Sequence, residues 1–291
     1  MQLIDELVAA SPNRRSFLKT FAAASAGVSA LSMAGLNQAH GQTNTEVEVL
    51  KFALNLEYLE SEFYTYVVSS RGIETFGIAI DGEANGANPS SGGETTGGGK
   101  GVYFNNAAQF LTFEEASEIA NDERQHVILL RSALGSQVIA KPNINLNALG
   151  FGMGSQYDFV KLARIFEDIG VSAYAGAAGL LTTPGVITTA ARILAAEAQH
   201  VSALRTQVAF LNIPITPLDG ADLIPQPGGP KGQLFSLNSQ NGLCATRTPG
   251  EVLYLAFGNQ ANATSGGFFP SGVNGSITTS TGPATAANLA T

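Results

Sequence analysis

Cysteine occurs once in the 291 residues, at Cys244, and histidine only three times. One thiol excludes an intrachain disulfide framework and any paired-cysteine metal knuckle, and Cys244 is expected to behave as a small buried hydrophobe. Beyond the N-terminal region there is no basic run, and the formal net charge is −8, so nucleic acid is not expected as a partner. Long hydrophobic runs are also lacking. The best of them, Phe21 to Gly35, is short and rich in Ala, Gly and Ser, so no stable membrane span is expected. The hydrophobic fraction, 44%, is nevertheless ordinary and supports a sizeable core.

The first residues stand apart. The stretch SPNRRSFLK (Ser11 to Lys19) sets Arg14-Arg15 ahead of Phe17 and Leu18, with the mild apolar run behind it and small residues Ala39 and Gly41 at its end. This is the pattern of a twin-arginine export signal over residues 1–41, which would send the mature chain to the periplasm or the medium of a bacterium. Its removal leaves 12 basic and 21 acidic side chains, and His126 and His200 as the last two histidines.

Four segments carry helical periodicity: about Thr45 to Ser70, Phe113 to Leu134, Gln156 to Leu181 and Pro184 to Leu211. Thr112 with Glu115 three residues on predicts a capping box for the second, and Pro184 suits a first helical turn. A Gly-rich insertion, 72–101, holds ten glycines in thirty residues and reads as a flexible surface loop. The link between the second and third helices, 135–155, is long enough to cross a whole bundle. Residues 42–212 therefore predict an all-α four-helix bundle with a long crossover. Residues 213–291 predict a mostly irregular C-terminal extension with one short helix, TPGEVLYLAFG (Thr248 to Gly258), with Thr248 as N-cap.

A repeat runs through the bundle. Glu123 to Arg131 reads ERQHVILLR, and Glu197 to Arg205 reads EAQHVSALR, identical at six of nine positions. On the second helix the apolar seam is Ala116, Ile119, Glu123, His126, Leu130, Ala133; on the fourth it is Ile187, Ala190, Leu194, Glu197, Val201, Leu204, Val208, with Ile193 and His200 beside it. Residues three apart share a face, so each Glu-x-x-His pair can bind at one point. The other two helices place Leu50, Leu54, Glu57, Ser61, Tyr64, Val68 and Val160, Ala163, Glu167, Gly170, Tyr174, Ala177, Leu181 in their seams. Each thus sets a tyrosine seven residues after a glutamate.

Four carboxylates and two imidazoles in a dry core cost several kcal/mol unless something compensates them. Two divalent cations would balance Glu57, Glu123, His126, Glu167, Glu197 and His200, the di-metal carboxylate arrangement known in helix bundles. Such donors suit iron or manganese, with zinc as a further option. Tyr64 and Tyr174 would hydrogen-bond the ligand carboxylates. A metal-free alternative stands beside this: an arginine such as Arg164, one turn before Glu167, could pair a buried carboxylate. Glu60 is a further ligand candidate whose counterpart on the third helix is Gly170, and Glu62 is expected to face solvent.

The strings LKFALNLEYLESEFYTYVVSS with NDERQHV, and ARIFEDIGVSAYAGAA with AAEAQHV, resemble the rubrerythrin-type di-iron pattern of the ferritin-like superfamily. With RTPGEVLYLAFG and GGFFPSGVNG (Gly266 to Gly275), the chain resembles exported ferritin-like domain proteins related to desiccation-related proteins over roughly residues 45–275. The resemblance implies the same six ligands and two metal ions, iron first and manganese as the alternative. It implies peroxide or oxygen handling in periplasmic stress protection. The other reading is a non-enzymatic protective or structural protein on the same fold. Homo-oligomerisation is left open, and with one cysteine the chain names no electron donor of its own.

Overall fold

The four periodic segments become four long α-helices in the computed structural model, which describes residues 42–99, 101–104, 107–225 and 234–290. They are α1 (Asn44–Ser69), α2 (Ala107–Leu134), α3 (Gln156–Ala177) and α4 (Pro184–Phe210), followed by the short α5 (Pro249–Ala256). Residues 1–41, with the twin-arginine pattern, lie outside the described residues. α1 packs mainly along α2, and α3 along α4, so the chain is two helical hairpins joined by the 135–155 crossover. Among the described residues no helix is long and apolar enough to cross a membrane.

Glu46 anchors the N-terminal end of the bundle. Thr43 and Glu46 form a capping box on α1, and the same Glu46 carboxylate accepts from the backbone N–H groups of Thr182 and Thr183 at 2.6 Å, just before α4. Burial pushes this carboxyl up, yet the donors on Thr183, Thr43 and Thr182 outweigh it and hold it at about 2. A folded-state value depressed below the ordinary 4.5 gives stability that is present above pH 4.5 and lost as pH falls towards 2. Glu46→Gln should therefore cost about 1–3 kcal/mol at pH 7, the scale of a hydrogen bond to a charged group. The difference from wild type should shrink in thermal melts between pH 4.5 and pH 2; a gap constant over that range would refute the assignment.

α2 begins six residues earlier than periodicity predicts, at Ala107, so Thr112 lies inside the helix rather than at its cap. Fully buried, Thr112 instead accepts from Gln156 Nε2 at 3.1 Å, a contact with the first residue of α3 that local sequence could not foretell. α4 also departs from its predicted seam. Its first half buries Val186 and Ile193, on the row of His200, while Ile187 is 42% exposed. Leu194 faces a groove of about 950 Å³ between α4 and residues 235–244 rather than the bundle. Cys244 lies in that groove wall and is half-buried, so it is not the sealed core residue expected from composition.

The Gly-rich insertion is bound down rather than free. Its two-residue strand β1 (Thr95–Thr96) pairs in parallel with β2 (Ile144–Asn145) of the crossover, and Gly93 N–H donates to Lys141 O at 2.8 Å. A side chain at Gly93 would run into the Pro142–Asn143 backbone, which explains a glycine at this close approach. Glu62, expected at the surface, is fully buried on α1 and pairs with Lys141 Nζ at 2.5 Å; the same amine reaches Thr95 Oγ1 at 2.7 Å.

The extension after α4 is mostly irregular, as composition predicts, with α5 held by the Thr248–Glu251 capping box. It is nonetheless tied to the bundle. Asn274 donates its N–H to Asn55 Oδ1 at 2.9 Å and its amide to Ala140 O at 2.8 Å. Arg247 holds Asp219 with two nitrogens, at 2.9 and 2.7 Å, and Ser172 Oγ at 2.7 Å. Phe268 packs edge-on against Phe166, extending the Phe63–Phe159–Phe166 core cluster.

Candidate metal centre

All six side chains singled out from periodicity converge in the middle of the bundle. Glu57 (α1), Glu123 (α2), Glu167 (α3) and Glu197 (α4) are at most 1% exposed, and His126 and His200 are each 8% exposed. His126 Nδ1 lies 3.2 Å from Glu57 Oε2, 3.3 Å from Glu123 Oε2 and 3.5 Å from Glu197 Oε1. His200 Nδ1 lies 3.2 Å from Glu167 Oε2 and 3.3 Å from Glu123 Oε1. The two imidazole centres are 6.4 Å apart.

Two four-residue groups could each hold an ion, with donor atoms within 4.8 Å of one another: Glu57, Glu123, His126, Glu197, and Glu123, Glu167, Glu197, His200. Glu123 and Glu197 belong to both, which is what bridging carboxylates require. The tyrosines work across the bundle. Tyr64 of α1 donates to Glu167 Oε1 of α3 at 2.6 Å, and Tyr174 of α3 donates to Glu57 Oε1 of α1. Each tyrosine thus occupies one carboxylate oxygen and leaves Oε2 turned towards a histidine. Sequence spacing identified both tyrosines; that each serves the partner hairpin is a tertiary result.

Electrostatics shows how unsettled this cluster is on protein groups alone. Burial pushes Glu57 up to about 7, although His126 pulls against it. Burial and then the neighbouring carboxylates raise Glu197 and Glu60 well above the ordinary range. Glu123 is buried too, but the two imidazoles beside it win and hold it below the usual range. Burial opposes charge on the histidines; Glu123 and Glu57 nevertheless lift His126 to about 12, and Glu123 and Glu167 lift His200 to about 11. Both oxygens of Glu197, Glu57 Oε2 and Glu123 Oε1 accept no hydrogen bond. The metal-free alternative of arginine pairing does not apply at Glu167: Arg164 turns to Asp168 Oδ2 at 2.6 Å and to Asp222. Orphaned buried oxygens around a set of carboxylate and imidazole donors fit divalent cations.

Two neighbours complete the picture. Asp122 Oδ2 lies 3.4 Å from His200 Nε2, where it can hold the tautomer that leaves Nδ1 free. Periodicity passed it over because it adjoins Glu123 on its own helix and meets His200 from across the bundle. Glu60 is 5% exposed at the edge of the cluster but belongs to neither four-residue group. A cleft of about 260 Å³ with a mixed polar and apolar lining, Glu115, Glu118, Asp122 and Gln199 among its residues, reaches the centre at His200 between α2 and α4.

Comparison with curated proteins and with solved structures gave no match. The sequence profile of one family, described as ferritin-like domain, matches residues 45–209, a span running from the first turn of α1 almost to the end of α4. The chain belongs to the ferritin-like domain family.

Proposed function

We propose that this chain is an exported di-metal carboxylate protein that handles peroxide or dioxygen in stress protection, with iron as its metal and manganese as the alternative. The observation that carries the reading is Glu197, fully buried, common to both four-residue groups and without a hydrogen bond on either oxygen. In this reading Glu57 and His126 serve one ion, Glu167 and His200 the other, and Glu123 and Glu197 both. When bound, a ferrous pair would supply two electrons to peroxide, 2 Fe²⁺ + H₂O₂ + 2 H⁺ → 2 Fe³⁺ + 2 H₂O. Tyr64 and Tyr174 orient the outer glutamates, and the Phe63–Phe159–Phe166 cluster packs between α1 and α3.

Elemental analysis after anaerobic reconstitution should give close to two ions per chain. Glu123→Ala and His200→Ala should each fall well short of that, and peroxide consumption should fall with them. Sub-stoichiometric metal in the wild type refutes the reading. Full metal without peroxide or dioxygen turnover would leave a structural centre instead. Export rests on Arg14-Arg15 with Phe17 and Leu18. Lysine at both arginine positions should keep the chain in the cytoplasm in a cell-fractionation assay; unchanged export would remove the twin-arginine assignment.

A further inference from the structure

α3 carries a glycine, Gly170, in its middle, at the position that matches Glu60 in the repeated hairpin. A mid-helix glycine costs about 1 kcal/mol relative to alanine. Gly170 does not adopt a positive φ, so backbone conformation does not call for it. Space does. A Cβ at Gly170 would collide with Glu197 Oε2 and come within 3.5 Å of Glu60 Oε1. On the other side of this thin wall lies a cavity of about 60 Å³. Leu59, Phe166, Leu255 and Phe268, all at most 6% exposed, line its inner part, while exposed Asn259 marks where it opens towards solvent. Glu60 is the one ionisable residue in that lining.

One water needs only about 10–15 Å³ of such space, so size does not keep water out and the polarity of the walls decides. A buried water needs two to four polar partners, and a cavity walled this way offers few, whereas such spaces take up apolar atoms readily. The outer wall comes from the C-terminal extension: Val252, Leu255 and Ala256 of α5, with Phe268 after it. The metal centre therefore has two unlike approaches. The α2–α4 cleft at His200 sets Glu115, Glu118, Asp122 and Gln199 among Ile119, Ala196 and Ala203, and its carboxylates and amide offer hydrogen bonds to a polar species such as hydrogen peroxide. The cavity at Gly170 suits a small molecule that forms no strong hydrogen bonds.

We propose that the cavity between α1, α3 and α5 receives dioxygen beside the Gly170–Glu197 wall, and that the C-terminal extension exists in part to supply its apolar outer wall. This rests on the di-metal reading for its chemistry but not for its occupancy. Crystals of the metal-free protein pressurised with xenon should show a xenon atom bounded by Leu59, Phe166 and Leu255, and Ala256→Leu should abolish it. Ferrous-loaded Ala256→Leu should consume dioxygen about tenfold more slowly, with metal stoichiometry and the peroxide rate unchanged. Ile169→Phe fills the same space from α3 and serves as a second variant, both being checked for folding by circular dichroism. A missing xenon peak overturns the proposal, as does a dioxygen rate that neither variant alters. If no metal loads, the di-metal reading fails, and the xenon result alone decides whether the cavity takes an apolar guest.

Discussion

Replacing Glu197 with leucine should strip metal from the reconstituted protein and yet make the metal-free protein harder to unfold. The two effects have one origin. Glu197 is fully buried, and neither of its oxygens has a hydrogen-bond donor. Burial and then Glu123, Glu167, Glu60 and Glu57 push its carboxyl well up, so in metal-free protein it is a buried polar group with His126 Nδ1 3.5 Å from Oε1 and no hydrogen bond. Such a group costs about 1–3 kcal/mol relative to an apolar one of similar shape. Leucine removes that cost and nearly matches the volume. For a domain of this size each kcal/mol moves the melting temperature by about 2–4 °C, so the metal-free variant should melt a few degrees higher. With metal supplied, the order should reverse, because ligand binding to the folded state stabilises only the chain that binds. Calorimetry on four samples, wild type and Glu197→Leu with and without metal, reads both signs. A metal-free variant that melts below wild type would mean that Glu197 is satisfied by protein groups and is no metal bridge.

Lys141→Ala should be the most destabilising single change outside the centre. Lys141 is 2% exposed and its partner Glu62 is fully buried. The pair joins three distant segments, α1 through Glu62, the Gly-rich insertion through Thr95 and the crossover through Lys141 itself. Burial pushes Glu62 up and Lys141 draws it back; without the amine the carboxyl is stranded. Breaking a buried ion pair by removing one partner costs about 3–5 kcal/mol, which corresponds to a fall of roughly 6–20 °C in melting temperature. Replacing both residues, Glu62→Leu with Lys141→Met, should recover most of the loss, since an apolar pair of similar volume is often neutral or better. A double variant as unstable as the single one would show that Lys141 acts through Thr95 and the insertion rather than through Glu62.

These two residues mark where sequence reading stops. Glu57, Glu123, His126, Glu167, Glu197 and His200 were found because each interrupts an apolar row at helical spacing, and a row is a local property. Helix–helix pairing followed from short-range pattern together with the length of the crossover. Periodicity gives α1 one buried face, which puts Glu62 at the surface. In the bundle the crossover and insertion cover the helix's back as well, through Lys141 at Glu62 and Glu83 at Lys51, so both α1 residues are buried. Thr112 departs from its local signal in a similar way: a Thr-x-x-Glu string is a valid cap signal, but residues 107–111 continue the helix upstream.

Helical periodicity and the Glu-x-x-His repeat were enough to establish an all-α bundle and to name the six side chains at its centre, because both depend on spacing within about two turns of one helix. Contacts between residues far apart in the chain settled the rest. They decided that each tyrosine serves the opposite hairpin and that Arg164 leaves Glu167 alone for Asp168 and Asp222. They also brought Asp122 to His200 and set α5 as the wall of a cavity behind Gly170. No periodicity encodes such meetings, since they arise only when separate helices, each with its own pattern complete, are packed at one depth.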